Sequence, residues 1–298
     1  MASRIQDTEE ELLQSLGELA TQRAVTEVNK LDSHIDYDNR IINTNPISAN
    51  VGETGWMKFD QKFFVYKNKI QKDGKLELKR SGAIKSNVVI NSSSKEQTTT
   101  FYQIAGQELS PNLQLEAVNY IGLNLYVGKT LSGLPGNTYR FEYYLSKLFG
   151  DVILPDRKAR GATALKFYYT GAGNKNVYTI ENLQNNYQFR RGSIGFSKDF
   201  YPYRLIHISP FLGYGLESVN WDNSPNKVSS NFTELGVNVG VNITHNVQVI
   251  GTFNRMKFIK SILLDERREV IDSNYEYDLH FPDRNKKSGF SLGLRYTL

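Results

Sequence analysis

Residues 234–244 read Glu-Leu-Gly-Val-Asn-Val-Gly-Val-Asn-Ile-Thr, and their period of two decides the fold. Leu235, Val237, Val239, Val241 and Ile243 alternate with Glu234, Gly236, Asn238, Gly240, Asn242 and Thr244. Successive side chains of a strand point to opposite faces, so this stretch has one aliphatic face and one face of glycine, amide and charge. The alternation recurs upstream. Ile206, Ile208, Leu212, Tyr214 and Leu216 alternate with His207, Ser209, Gly213, Gly215 and Glu217. Leu165, Phe167 and Tyr169 oppose Lys166, Tyr168 and Thr170, and Tyr139, Phe141, Tyr143 and Leu145 oppose Arg140, Glu142, Tyr144 and Ser146. Ile121, Leu123, Leu125 and Val127 oppose Gly122, Asn124, Tyr126 and Gly128.

A soluble sandwich also alternates, so three further features separate the possibilities. The alternating runs are about 10–14 residues long, against roughly 5–6 for an average soluble strand. Their polar face is rich in small residues, which suits a narrow lumen. Short connections at 199–204 and 245–246 alternate with longer polar links at 174–186, 220–230 and 261–287, the arrangement of barrels with short turns on one side and long loops on the other. That parity requires 274–281 to belong to a loop hairpin. Together these features predict an all-β fold, an antiparallel transmembrane β-barrel of about 8–12 strands, with an N-terminal helix and a small β-rich extension.

Composition agrees. Tyr (18) and Phe (16) far outnumber Trp (2) and Met (3), a bias that suits pleated, half-buried surfaces. No run of about 18 apolar residues is present, which leaves no transmembrane helix but does not bear on strands. The absence of cysteine removes disulfides, thiolate metal sites and cysteine nucleophiles. The formal charge of +5 is spread along the chain without a dense Lys/Arg block, so no nucleic-acid partner is expected. Residues 1–5 lead into acidic Thr8-Glu9-Glu10-Glu11 with no apolar secretory core, which predicts a processed form or another route to the membrane.

The chain divides into three parts. Residues 1–55 are predicted to hold a helix over about 8–31, with Thr8 and Glu11 at capping-box spacing and Leu12, Leu16, Leu19 and Ala20 on one face, then a polar linker. Residues 56–110 form a β-rich extension or the first barrel strands, with strands at 56–59 and 100–104 separated by the Ser-rich tract 91–94. Residues 111–298 form the membrane barrel.

The chain ends on Ser288-Gly289-Phe290-Ser291-Leu292-Gly293-Leu294-Arg295-Tyr296-Thr297-Leu298. Phe290, Leu292, Leu294, Tyr296 and Leu298 make one unbroken apolar face. With Lys287 and Gly289 before them, they resemble the C-terminal β-signal of bacterial outer-membrane β-barrel proteins, although that pattern usually closes on Phe or Trp where this chain has Leu298. The resemblance implies a porin-like cell-envelope protein in the bacterial outer membrane. Its partners would be outer-membrane lipid, the barrel-assembly machinery and other envelope proteins.

Few residues suggest other chemistry. His34, His207, His245 and His280 lack ligand spacing, and Asp32, Asp36 and Asp38 lack the glycine and closing glutamate of a calcium loop. Residues 162–173 faintly resemble a segment of caspase-like peptidases, but Ala172 stands where the catalytic histidine belongs and no cysteine exists. No catalytic, cofactor or metal residue is therefore assigned. The lumen-facing candidates are Arg140, Glu142, Lys166, His207, Glu217, Glu234, Asn238 and Arg295, expected to pair with one another in a narrow barrel or to set ion selectivity in a wider one. The expected function is non-enzymatic, a small channel or a structural or assembly component of an envelope complex. An organellar outer-membrane barrel, an outer-membrane hydrolase and a soluble β-sandwich binding module are the alternatives.

Overall fold

The computed structural model describes residues 39–49, 60–70, 76–88, 99–132, 136–148, 164–180, 183–221, 225–274 and 288–298. The helix expected over 8–31, the strand expected at 56–59, the Ser-rich tract and the acidic triplet at 32–38 lie outside these residues. So do His34, His280, Lys287 and residues 162–163 of the peptidase-like segment.

Sixteen strands are described, in two sheets. The larger sheet contains β7 (Leu123–Ser132), β8 (Asn137–Tyr144), β9 (Leu165–Ile180), β10 (Leu183–Lys198), β12 (Ile206–Trp221), β13 (Lys227–Asn242), β14 (Val247–Leu264) and β16 (Ser288–Thr297). Each pairs antiparallel with the next; β10 also pairs β12, and β16 pairs both β14 and β7, so the eight strands close into a ring. Closure excludes the β-sandwich alternative. The short strands β11 (Phe200–Tyr203) and β15 (Val270–Asp272) attach to β12 and β14.

The exterior of the ring is apolar because the period-two pattern puts every aliphatic set outside. Leu212 and Leu235 are more than 60% exposed, and Val127, Phe141, Tyr169, Ile194, Val239, Phe253 and Leu294 are exposed with them. On β12 this face runs from Ile206 to Leu216 before turning polar at Ser218 and Asn220. That is about 33 Å along the strand at ~3.3 Å per residue, or about 25 Å of height once a tilt of 35–45° is applied. An apolar band of this height matches a bilayer core.

Among the described residues, strands run well into the polar stretches expected as long links. β9 and β10 run on to Ile180 and Leu183 and join across two residues, β12 continues to Trp221, and β14 extends to Leu264. Above the apolar band the outward side chains turn polar while inward ones such as Phe189, Val219 and Val228 turn apolar, so the parity that marks the belt inverts although backbone pairing continues. A second correction concerns 139–146, where the strand ends at Tyr144 and residues 145–148 make a single helical turn.

The N-terminal part is a domain in its own right. β1 (Ile41–Thr44), β2 (Ile47–Ala49), β3 (Lys62–Ile70), β4 (Leu76–Val88), β5 (Thr99–Gly106) and β6 (Gln114–Val118) pair in the order β1-β2-β5-β4-β3-β6. The sheet closes on itself through the Arg40–Gln114 bridge and the bonds from Ile41 N to Leu113 O and Leu115 N to Asn39 O. Ile41, Phe63, Val65, Ile84, Phe101, Leu113 and Leu115 fill its core, with Phe63 and Phe101 edge to face at 5.6 Å. Two expected boundaries therefore move. Residues 41–49, assigned to the polar linker, form a hairpin too short to show a period, and the membrane barrel starts at Leu123, since 114–118 belong to the small sheet. The strand expected at 100–104 lies within β5.

Candidate functional site

All eight lumen-facing candidates are buried inside the ring, at 5% exposure or less. They do not form one site. The structure distributes them over two layers along the barrel axis, adds a third layer that contains none of them, and brings in residues that alternation alone does not single out.

The layer nearest the short turns is a charge cluster. Glu142 Oε2 accepts from Lys166 Nζ at 2.6 Å and from Arg295 Nη1 at 3.1 Å, with Arg140 Nη1 4.0 Å from its other oxygen. Asp199 Oδ1 lies 2.7 Å from Lys166 Nζ and 2.7 Å from His207 Nε2, and Tyr144 donates to Oδ2 at 2.6 Å. Arg295 also donates to Gln248 at 2.5 Å and approaches His207 Nε2 at 3.2 Å. Three cations thus share two carboxylates in a space closed to water. Sequence reading places Asp199 in a turn. It continues the inward parity of Ser193 and Ser197, and that parity is the signal that could have found it.

The middle layer combines neutral partners around Glu234 and Arg140 with one ion pair, Arg191–Glu217. Glu234 accepts from Tyr168 and Ser193, each at 2.7 Å, while Arg140 donates to Thr170 at 2.9 Å and to Asn238 at 3.2 Å. Arg191 donates to Glu217 through Nε at 2.9 Å, so His207 and Glu217, ten residues apart on β12, serve separate partners. Aromatic rings fill the space between. Tyr168 lies over Gly195 and Gly213, Phe232 over Gly215, Phe211 over Gly236 and Tyr126 over Gly128 and Gly293. A side chain at these glycines would meet the ring or the neighbouring strand's backbone, which is why the inward face carries so many of them. The space left over is a cavity of about 30 Å³ beside Arg140, Arg191 and Glu234, room for one or two waters.

The third layer, toward the long-loop end, is largely apolar. Tyr187, Phe189, Val219 and Val228 pack with Phe258 and Leu263, and Phe232 packs with Met256, just above the Arg191–Glu217 pair. Within this layer the hydroxyls of Ser230 and Ser261 bond to each other at 2.7 Å.

The opposite mouth is covered by the small sheet. Asp60 carries the junction. It accepts from the backbone N of Ala164 with both oxygens at 3.1 and 3.0 Å, from Ser146 Oγ at 2.8 Å and from Tyr102 OH at 3.3 Å. Asp60 and Ala164 have φ of 56° and 61°, a left-handed conformation uncommon outside glycine and held here by their mutual bond. Lys85 lies over Tyr144 at 4.0 Å and Tyr120 at 4.7 Å. Burial pushes its ammonium down to about 7, against the opposing pull of Asp60 and Asp199. Burial also pushes the Asp60 carboxyl above its usual range, with Lys85 working against it. Lys62, lowered to about 8 by burial and then by Arg80, donates to the carbonyl of His245 and to Asn246 in the short β13–β14 turn. Tyr102 stacks on Tyr201 at 4.6 Å and Phe64 meets His245 edge to face at 4.9 Å.

The terminal strand β16 faces its apolar set, Phe290, Leu292, Leu294, Tyr296 and Leu298, to the exterior. Gly289 turns inward with Arg295. By pairing β7 on one side and β14 on the other, β16 is the strand that shuts the ring.

A closed eight-stranded ring, an apolar belt and a polar interior define the architecture. This is an outer-membrane-type β-barrel. No protein-family description and no curated protein matches the sequence. Among solved structures, the chain is similar to a major outer membrane protein from Thermus thermophilus at 13% identity and a TM-score of 0.36, covering 59% of this chain and 98% of that one. It is similar to CarO2 of Acinetobacter baumannii at 8% identity and 0.27, covering 61% and 100%, and to the outer membrane protease OmpT of Escherichia coli at 13% and 0.23, covering 81% and 94%. Overlaps this loose add nothing to the strand pairing, on which the fold assignment rests.

Proposed function

We propose that the chain is a sealed, non-enzymatic barrel of the bacterial outer membrane that anchors its small N-terminal sheet at the short-turn face as a docking element for another envelope protein. The observation that supports it is the filled lumen. Apolar packing closes the long-loop end, paired charges and aromatics occupy the middle, and Asp60, Lys62 and Lys85 fasten the small sheet across the opposite mouth. A narrow barrel packed with side chains is a scaffold by construction, whereas conduction needs a continuous wetted path. The exposed apolar belt supports lipid as the surrounding medium, and β16 is the strand an assembly machinery would recognise.

The reading is tested by reconstituting the purified chain in planar bilayers. It predicts no single-channel steps above the bare-membrane background. Stepwise conductance from the intact chain would support the channel alternative and remove the scaffold.

A further inference from the structure

The eight strands of the ring hold three carboxylates, Glu142, Glu217 and Glu234, and all three point inward. Cations are treated differently. Arg140, Lys166 and Arg295 are buried inside, but Arg255, Lys257 and Lys260 stand exposed in a column on the outer face of β14. None of these three has an ion-pair partner among the described residues. Arg255 and Lys257 are about 6.6 Å apart along the strand, close enough for like charges to repel. The register shift opposite Asn231 and Phe232 then brings Lys260 onto the same face.

Beside the column the wall is apolar. Arg255 pairs with Leu235, which pairs with Leu212, and Lys257 pairs with Thr233, which pairs with Tyr214. Leu212, Leu235, Thr233, Arg255 and Lys257 line one shallow groove on the outside of the ring. Its aliphatic side continues the exposed belt, and its cationic side follows Phe253 on β14, with exposed Ile259 between Lys257 and Lys260. A groove apolar along one wall and cationic along the other is complementary to a molecule with acyl chains and an anionic head.

We propose that the groove over β12, β13 and β14 is a binding site for a phosphate-bearing lipid, whose chain lies on Leu212 and Leu235 and whose headgroup is held by Arg255, Lys257 and Lys260. The juxtaposition relieves the repulsion within the column and places the anion at the membrane–water boundary on the long-loop side. Basic side chains near a membrane surface each strengthen attraction to anionic lipid, and three acting together are expected to raise retention by about tenfold. The inference rests on the membrane reading above.

The test is native mass spectrometry of the full chain released from micelles doped with equal amounts of phosphatidylglycerol and phosphatidylcholine of identical acyl chains. The wild type should retain phosphatidylglycerol by about tenfold over phosphatidylcholine. The variant R255Q/K257Q/K260Q should lose that preference, while K129Q/R190Q/K227Q, which removes the same charge elsewhere on the barrel, should keep it. Equal retention of the two lipids by the wild type would overturn the site, as would equal loss in both variants. Displacement by millimolar inorganic phosphate would also overturn it, since a simple anion would then suffice. A chain that never enters micelles would instead defeat the membrane reading, so the two failures are distinguishable.

Discussion

Glu142→Gln lowers the unfolding free energy of the barrel by about 3–5 kcal/mol, the cost of leaving buried charge uncompensated when one partner of a buried pair is removed. The wild-type cluster sets Lys166, Arg295 and Arg140 against Glu142 and Asp199, all within a space closed to water. Removing Glu142 leaves three cations to a single carboxylate. The amide keeps the shape and can still accept from Lys166 and Arg295, so the loss isolates charge from volume. Glu234→Gln provides the contrast. Its partners Tyr168 and Ser193 are neutral donors, and the expected loss is about 1–2 kcal/mol. Urea unfolding in detergent, followed by tryptophan fluorescence, measures both. Equal losses for the two variants would show that the cluster does not act through its charge balance.

Asp60→Ala is expected to free the small sheet while leaving the membrane barrel folded. The substitution removes the acceptor for Ala164 N and Ser146 and leaves Lys85 buried with less opposite charge around it. It also puts alanine at a φ of 56°, which alanine tolerates less well than aspartate. The combined cost is about 3 kcal/mol or more, enough to change the docked fraction by over a hundredfold at ~1.4 kcal/mol per factor of ten. Hydrogen exchange should accelerate in β3–β6 and at Ala164 while β12–β14 stay protected. Asp60→Asn, which suits the left-handed conformation and keeps one acceptor, should fall between wild type and alanine. Unchanged exchange in Asp60→Ala would mean that the aromatic contacts of Tyr102 and Phe64 suffice to hold the junction.

What the sequence made legible was the part governed by period two. A strand with lipid outside and a narrow lumen inside must alternate, so Leu235 to Ile243 and Phe290 to Leu298 could be placed outward and Arg140, Glu142, Lys166 and Arg295 inward from their positions alone. The partners could not be placed, because a pair such as Arg295–Glu142 joins residues 153 apart through a register that only closure defines. Asp199 was hidden by its position beyond the end of β10, where turn chemistry and inward parity coincide. The extensions of β9, β10 and β14 were hidden because above the belt the parity inverts, with apolar residues such as Phe189 and Val219 inside and polar ones outside, so the outward apolar set that marks the belt stops. The six-stranded sheet was hidden because register shifts interrupt the alternation of β3, β4 and β5, while β1, β2 and β6 are too short to show a period. Asp60 sits between two of them, in a stretch with no pattern to mark it.

Spin-label accessibility along β13 tests the central claim most directly, that the apolar face of this ring meets hydrocarbon while its polar face is packed inside. The chain contains no cysteine, so single cysteines at each position from 234 to 243 can carry a nitroxide without background labelling. In lipid vesicles, collision with dissolved oxygen should peak at 235, 237, 239, 241 and 243 and fall at 234, 236, 238, 240 and 242, with a polar nickel reagent excluded from both sets. Free access of the nickel reagent to the odd-numbered set, or a flat profile with no period of two, would contradict the account.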